Sequence, residues 1–163
     1  TWKAYEDLLA RTHVTAPSGA FDSNRLQRLT SYPKRYLADT ALALVLAGVD
    51  VAELVGDPGL AGRYLESYVM QQLRPQVDAI GGALRHMRTG AGEHEVDAVI
   101  EAGRDVYAVE VKLGVRPTVA DARHIAWLRD RLGDRFVAGF VAHTGADSYE
   151  LGDRIWAIPI TEL

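Results

Sequence analysis

Apolar positions recur at helical spacing along the first stretch of the chain. Trp2, Tyr5, Leu8 and Leu9 fall on one side of an opening helix. "APSGA" from Ala16 reads as a loop, and Asp22 as the N-cap of a short helix reaching Leu29. "YPKRYL" breaks the pattern at Pro33 and reads as a turn in which Lys34 and Arg35 are solvated. A further helix is expected from Ala38 to Ala47, stopping at Gly48, and Asp50 can cap one more short turn, "VAELV". Asp57 followed by Pro58 is a strong helix start. Leu65, Val69 and Leu73 follow at four-residue intervals, with Glu66 at the margin of that stripe, and Pro75 is expected to end the helix.

The period then shortens. "ALRHMR" from Ala83, "HEVDAVIE" from His94 and "DVYAVEVK" from Asp105 read as three strands. Thr118, with Asp121 three residues on, resembles a capping box at the head of "VADARHIAWLRDRL", whose inner side is Ala122, Ile125, Ala126 and Trp127. "FVAGFVA" from Phe136 is continuously apolar, as a buried strand is, and "IWAIPI" from Ile155 is a shorter strand that Pro159 marks as an edge or an end. The order is helix, three strands, helix, strand, strand. This predicts an α/β sheet beginning with a strand hairpin over residues 57–163, behind a helical N-terminal segment at 1–56.

Composition narrows the function. A chain of 163 residues, 48% hydrophobic, is sized for one domain or a domain with a small appendage. The absence of cysteine excludes disulfides, cysteine-bound zinc and thiol catalysis, and suits a cytoplasmic location. The longest apolar run, "ALALVLAGV" from Ala41, is too short to cross a bilayer, and no signal-peptide pattern is present, so no membrane partner is expected. A net charge of −4 does not favour tight binding to a polyanion.

The candidate chemistry lies in the hairpin. With Gly103-Arg104 as a two-residue type II′ turn, Ala102 pairs with Asp105, Asp97 comes opposite Glu110, and Glu95 opposite Lys112. Alternation puts Glu95, Asp97 and Val99 on one face. Two carboxylates facing each other across a ladder repel, and a cation between them would make a site. Mg²⁺ or Mn²⁺ suits such oxygen donors. Asp97 and Glu110 would hold the ion, Glu66 would add a carboxylate through a metal-bound water, and Lys112 would orient water and stabilise developing negative charge. The plainer reading is an exposed sheet face, with Lys112 and Glu95 as a weak surface pair.

Other side chains weigh less. Arg85, Arg88, Arg116, Arg123 and His124 can meet phosphates, but basic and acidic residues balance between Ala83 and Arg135, so a continuous basic patch is not expected. His86, His94 and Glu95 lack an established zinc spacing. His124 and His143 read as helix-surface and strand-end residues. Trp2, Trp127 and Trp156 read as core or interface.

Glu66, "VD" at Val96-Asp97 and "EVK" at Glu110 to Lys112 resemble the PD-(D/E)XK nuclease superfamily, with valine in the nominal proline position. The resemblance implies a restriction-endonuclease-like αβββαβ core. A narrower resemblance rests on "YPKRYLADTALALVLAG", "GRYLESYVMQQL", "HEVDAVIE", "VYAVEVK" and "GDRIWAIPITEL". These look like the C-terminal domain of prokaryotic AAA-type ATPases, domain of unknown function 4143. That implies an ATPase domain ahead of Thr1, and no phosphate-binding loop, hence no ATP site, is found in this stretch. Metal-dependent hydrolysis of DNA or RNA is the leading expectation. The alternatives are a non-catalytic module that docks nucleic acid or protein, moved by the ATPase, and a structural domain for oligomer assembly.

Overall fold

The computed structural model describes residues 1–22, 33–89 and 92–163. The short helix expected from Asp22 to Leu29 lies outside the described residues. The chain runs α1 (Trp2–Arg11), β1 (Thr15–Ala20), β2 (Lys34–Leu37), α2 (Thr40–Ala47), α3 (Val51–Gly56) and α4 (Pro58–Ala79). It continues β3 (Ala83–Arg88), β4 (Glu95–Ala102), β5 (Asp105–Lys112), α5 (Arg123–Leu132), β6 (Phe136–His143), β7 (Tyr149–Gly152) and β8 (Ile155–Pro159).

Three aspartates start three helices. Asp39 accepts the Leu42 amide at 2.6 Å, Asp50 that of Glu53 at 2.8 Å, and Asp57 that of Leu60 at 3.0 Å. Gly48 closes α2 in the left-handed conformation, φ 67°. Pro75 does not end α4, which continues through it to Ala79. The proline forfeits a backbone bond, but Val77 beyond it is 3% exposed and packs with Leu73 and Leu84. Burial of that kind contributes about 1.5–3 kcal/mol per side chain and offsets the break. The last helix also starts later than expected. The Thr118 amide and hydroxyl both donate to the Asp121 carboxylate, but this closes a turn, and α5 begins at Arg123.

The strands form one mixed sheet in the order β2-β1-β3-β4-β5-β6-β8-β7. Its first two strands come from the stretch expected to be helix, loop and turn. β1 is "TAPSGA", with little alternation to read, and it is held by pairing: antiparallel to β2, and parallel to β3 through Gly19↔Arg85 and Ala20↔His86. β7 was likewise not expected; it pairs with β8 at the far edge, so Pro159 ends β8 rather than lying on an edge strand.

Helices cover both faces. α5 lies over Val99, Val106, Ala108, Phe136, Val141 and Ile155; α4 lies over Leu84, Ala98, Val109 and Ala142. Gly139 in the middle of β6 lets α5 come close. A Cβ there would sit 2.3 Å from Ile125 Cγ2, which explains a glycine inside an otherwise bulky buried strand.

Candidate functional site

The β4–β5 hairpin turns at Gly103 and Arg104. Gly103 has φ 63° and Arg104 is not among the positive-φ residues, as a type II′ turn requires. The register runs from Ala102↔Asp105 to Ala98↔Val109, as the turn predicts. Beyond that pair the simple ladder stops. The Asp97 carboxylate takes over, with Oδ2 accepting the Val111 amide at 2.9 Å.

Strict alternation fails at the same place. β4 slips against β3, so that Arg85 faces Val99 while Met87 faces Val96. Val96 and Val99 both enter the α5-side core. One extra residue between them makes a bulge at Asp97-Ala98. Asp97 therefore leaves the face of Val99 and joins Glu95 on the α4 side. Glu110 aligns with Val141, which lies in the α5-side core. The expected direct ladder pairing of Asp97 with Glu110 is not made, the register ending at Ala98↔Val109, but the two carboxylates act on each other at the end where β4 and β5 part.

Glu66, Asp97, Glu110 and Lys112 all gather at this end of the sheet. Lys112 Nζ lies 2.9 Å from Glu110 Oε1. The expected Lys112–Glu95 pair does not form, because the β4–β5 ladder ends at Ala98↔Val109, short of both residues. Glu95 instead meets Lys34 at 2.9 Å and approaches Arg88 at 3.8 Å.

Lys34 and Tyr36 are the side chains that the sequence reading missed. Lys34 is not solvated in a turn. From β2 its ammonium reaches Glu66 at 3.1 Å, Glu95 at 2.9 Å and Asp97 at 3.9 Å. The Tyr36 hydroxyl donates to the same Glu66 oxygen at 2.7 Å. The alternating order Lys34, Tyr36 in "YPKRYL" was the available signal. It is a two-residue period, and Pro33 obscured it.

Electrostatics follow from this crowding. Burial, then the charges of Glu110 and Glu66, pushes Asp97 up to about 7. Burial also raises Glu110, against the pull of Lys112. Burial works against a charged Lys34, but the hydrogen bond with Glu95 and the charges of Glu66 and Asp97 outweigh it and hold the ammonium above its usual range. Lys112 is likewise raised, its desolvation outweighed by Glu110. Four carboxylates thus share the space with two ammonium groups.

Among the described residues, no three His, Asp or Glu side chains form a preformed metal cage. The donor chemistry nevertheless suits a hard divalent ion. Glu110 is 7% exposed, and its Oε2 is buried without a hydrogen-bond partner.

The remaining candidates are otherwise engaged. Arg85 pairs with Glu101 at 2.6 Å, and Arg116 lies over the Tyr149 ring. His86 is buried with Nδ1 3.0 Å from the Ser18 carbonyl, apart from the His94 ring, which stacks on Trp127 with centroids 4.1 Å apart. His94 and His124 bring their Nδ1 atoms to 3.3 Å. His143 is fully buried at the end of β6 and accepts the Gly145 amide. Trp2 is 74% exposed and takes no part in the core.

These features define a mixed α/β domain with an acid-rich, lysine-bearing cluster at one end of its sheet. The chain belongs to the family described as Domain of unknown function (DUF4143), whose model matches residues 61–163. No curated protein and no solved structure matches it. No helix among the described residues is long and apolar enough to cross a membrane.

Proposed function

We propose that the domain is a metal-dependent nucleic-acid phosphodiester hydrolase of the restriction-endonuclease-like, PD-(D/E)XK type, working as the C-terminal part of a prokaryotic AAA-type ATPase. The observation that carries this reading is the interacting pair of half-buried Asp97 and buried Glu110, with an unpartnered Glu110 oxygen and Lys112 beside it. The element order α4-β3-β4-β5-α5-β6 supports it, being the αβββαβ order of that superfamily.

Asp97 and Glu110 would hold Mg²⁺ or Mn²⁺, with Glu66 adding negative charge behind them. The bound ion supplies Lewis-acid polarisation of a phosphodiester oxygen and makes water more acidic. Lys112 stays protonated against Glu110 and presents positive charge where negative charge develops on phosphorus oxygens. The Val111 amide fixes the Asp97 carboxylate, so that its other oxygen has a set direction.

The test is cleavage of single- and double-stranded DNA and RNA across a salt series, with Mg²⁺ or Mn²⁺. Slow cleavage that chelator blocks, that Asp97→Asn abolishes and that Lys112→Ala brings close to the limit of detection supports the reading. Cleavage surviving Asp97→Asn points to another site or a contaminant. A docking module for nucleic acid or protein is the second reading, favoured by the way Lys34 already neutralises part of the acid cluster. Salt-sensitive binding without cleavage under any condition selects it.

A further inference from the structure

The family model that matches this chain begins at residue 61, and the resemblance to nucleases rests on Glu66, Asp97, Glu110 and Lys112. Lys34 belongs to neither, yet it makes the most ion pairs in the cluster. Its ammonium lies within 4 Å of three carboxylates from two elements: Glu66 of α4, and Glu95 and Asp97 at the start of β4. Three anions converging on one point would ordinarily call for a metal ion or for protons. Here a side chain fills that point. Tyr36, two residues along the same edge strand, donates to Glu66 Oε1, the oxygen Lys34 also contacts, so this oxygen is already shared by two donors. Glu110 on the other side differs. Its Oε1 is bound by Lys112, and its buried Oε2 has no partner.

We infer that Lys34 is the resident second cation of this site: its ammonium occupies the pocket of Glu66, Glu95 and Asp97, and confines divalent-ion binding to a single ion on the Asp97–Glu110 side. Lys34 is a positioning residue in this scheme, and Glu66 serves as its counter-ion. The inference deepens the metal-dependent reading above and rests on it for the single ion. Charge counting agrees. Fully ionised, Glu66, Glu95, Asp97 and Glu110 carry four negative charges, and Lys34, Lys112 and Arg88, 3.8 Å from Glu95, return three, so the cluster keeps a net negative charge that a divalent ion can offset. Without Lys34 the excess grows by one charge, and three carboxylates are left facing a space with no cation. A second divalent ion is then favoured there, with Glu66, Glu95 and Asp97 free to close around it once the ammonium is gone.

The test counts Mn²⁺ bound to the chain, from the electron paramagnetic resonance signal of the free ion. The wild type, Lys34→Met, Lys34→Arg and Asp97→Asn are compared, each first checked for a cooperative melt. The expected result is one Mn²⁺ on the wild type, one on Lys34→Arg, and two on Lys34→Met, or one bound at least tenfold more tightly. Lys34→Gln carries the same expectation should the methionine variant fail to fold. Wild-type stoichiometry and affinity in both neutral variants would overturn the inference, because a merely structural lysine would not set the ion count. The two readings fail separately. A wild type that binds no Mn²⁺ sinks the single-ion site, whereas a gain of Mn²⁺ in Lys34→Met would still support the role of Lys34. No binding in any variant sinks both.

Discussion

The Asp97 carboxylate accepts the Val111 amide at 2.9 Å, so the acid of one hairpin strand replaces a ladder bond to the other. Asparagine retains an acceptor at that position. In Asp97→Asn the hairpin should therefore stay intact while the buried charge disappears.

That variant gives a signed pH prediction. Folded Asp97 titrates at about 7, above the usual aspartate value near 3.9, so the folded state binds the proton more tightly than the unfolded chain. Its contribution to stability is complete below about pH 4 and is lost as pH rises through 7. Glu110, also raised, adds in the same direction, whereas Glu95, which Lys34 holds low despite its burial, opposes it at the acid end. Metal-free wild type should lose on the order of 1–3 kcal/mol between pH 5 and pH 8 relative to Asp97→Asn. Urea melts at the two pH values measure this. Parallel pH profiles would mean that Asp97 is ionised throughout.

Glu110→Gln should leave the metal-free protein as stable as the wild type, or more so. It relieves a buried charge, and the amide oxygen can still accept from Lys112. The same change should abolish any rise in melting temperature on adding Mg²⁺ or Mn²⁺. Loss of stability without metal, with the metal response intact, would make Glu110 a structural acceptor only.

Lys112→Ala should separate binding from rate. Lys112 is not a metal donor, so Mn²⁺ affinity should hold or increase. Cleavage should fall about 10²–10³-fold, the usual consequence of removing one group that stabilises transition-state charge. Equal losses in metal affinity and rate would contradict this division of roles.

Gly139→Ala tests the fold independently of the site. The added methyl would meet Ile125 Cγ2 at 2.3 Å and Phe136 Cζ at 3.0 Å. Overpacking of this kind costs about 1–3 kcal/mol, which should appear as a lower denaturation midpoint with the slope unchanged.

Most of residues 57–163 was legible because each element carries its own signal: aspartate caps, a glycine-led turn, and a shift from helical to strand period. The hairpin register followed from Gly103-Arg104 alone. The bulge at Asp97-Ala98 was not legible. It depends on how β3 meets β4, and the apolar run Ala98-Val99-Ile100 reads equally well as a strand buried on both faces. β1 escaped because small residues, proline and glycine gain strand structure here only from their neighbours. With β1 unread, β2 had no sheet to join, and Lys34 and Tyr36 were left in a turn.

The strand that carries Lys34 joins the sheet through β1, and β1 meets β3 over just two paired positions. The acids and one of the lysines that balance them therefore lie on separate stretches of the chain, on either side of residue 61. Sequence drift in the first forty residues can retune the polarity of this pocket without touching a single acid.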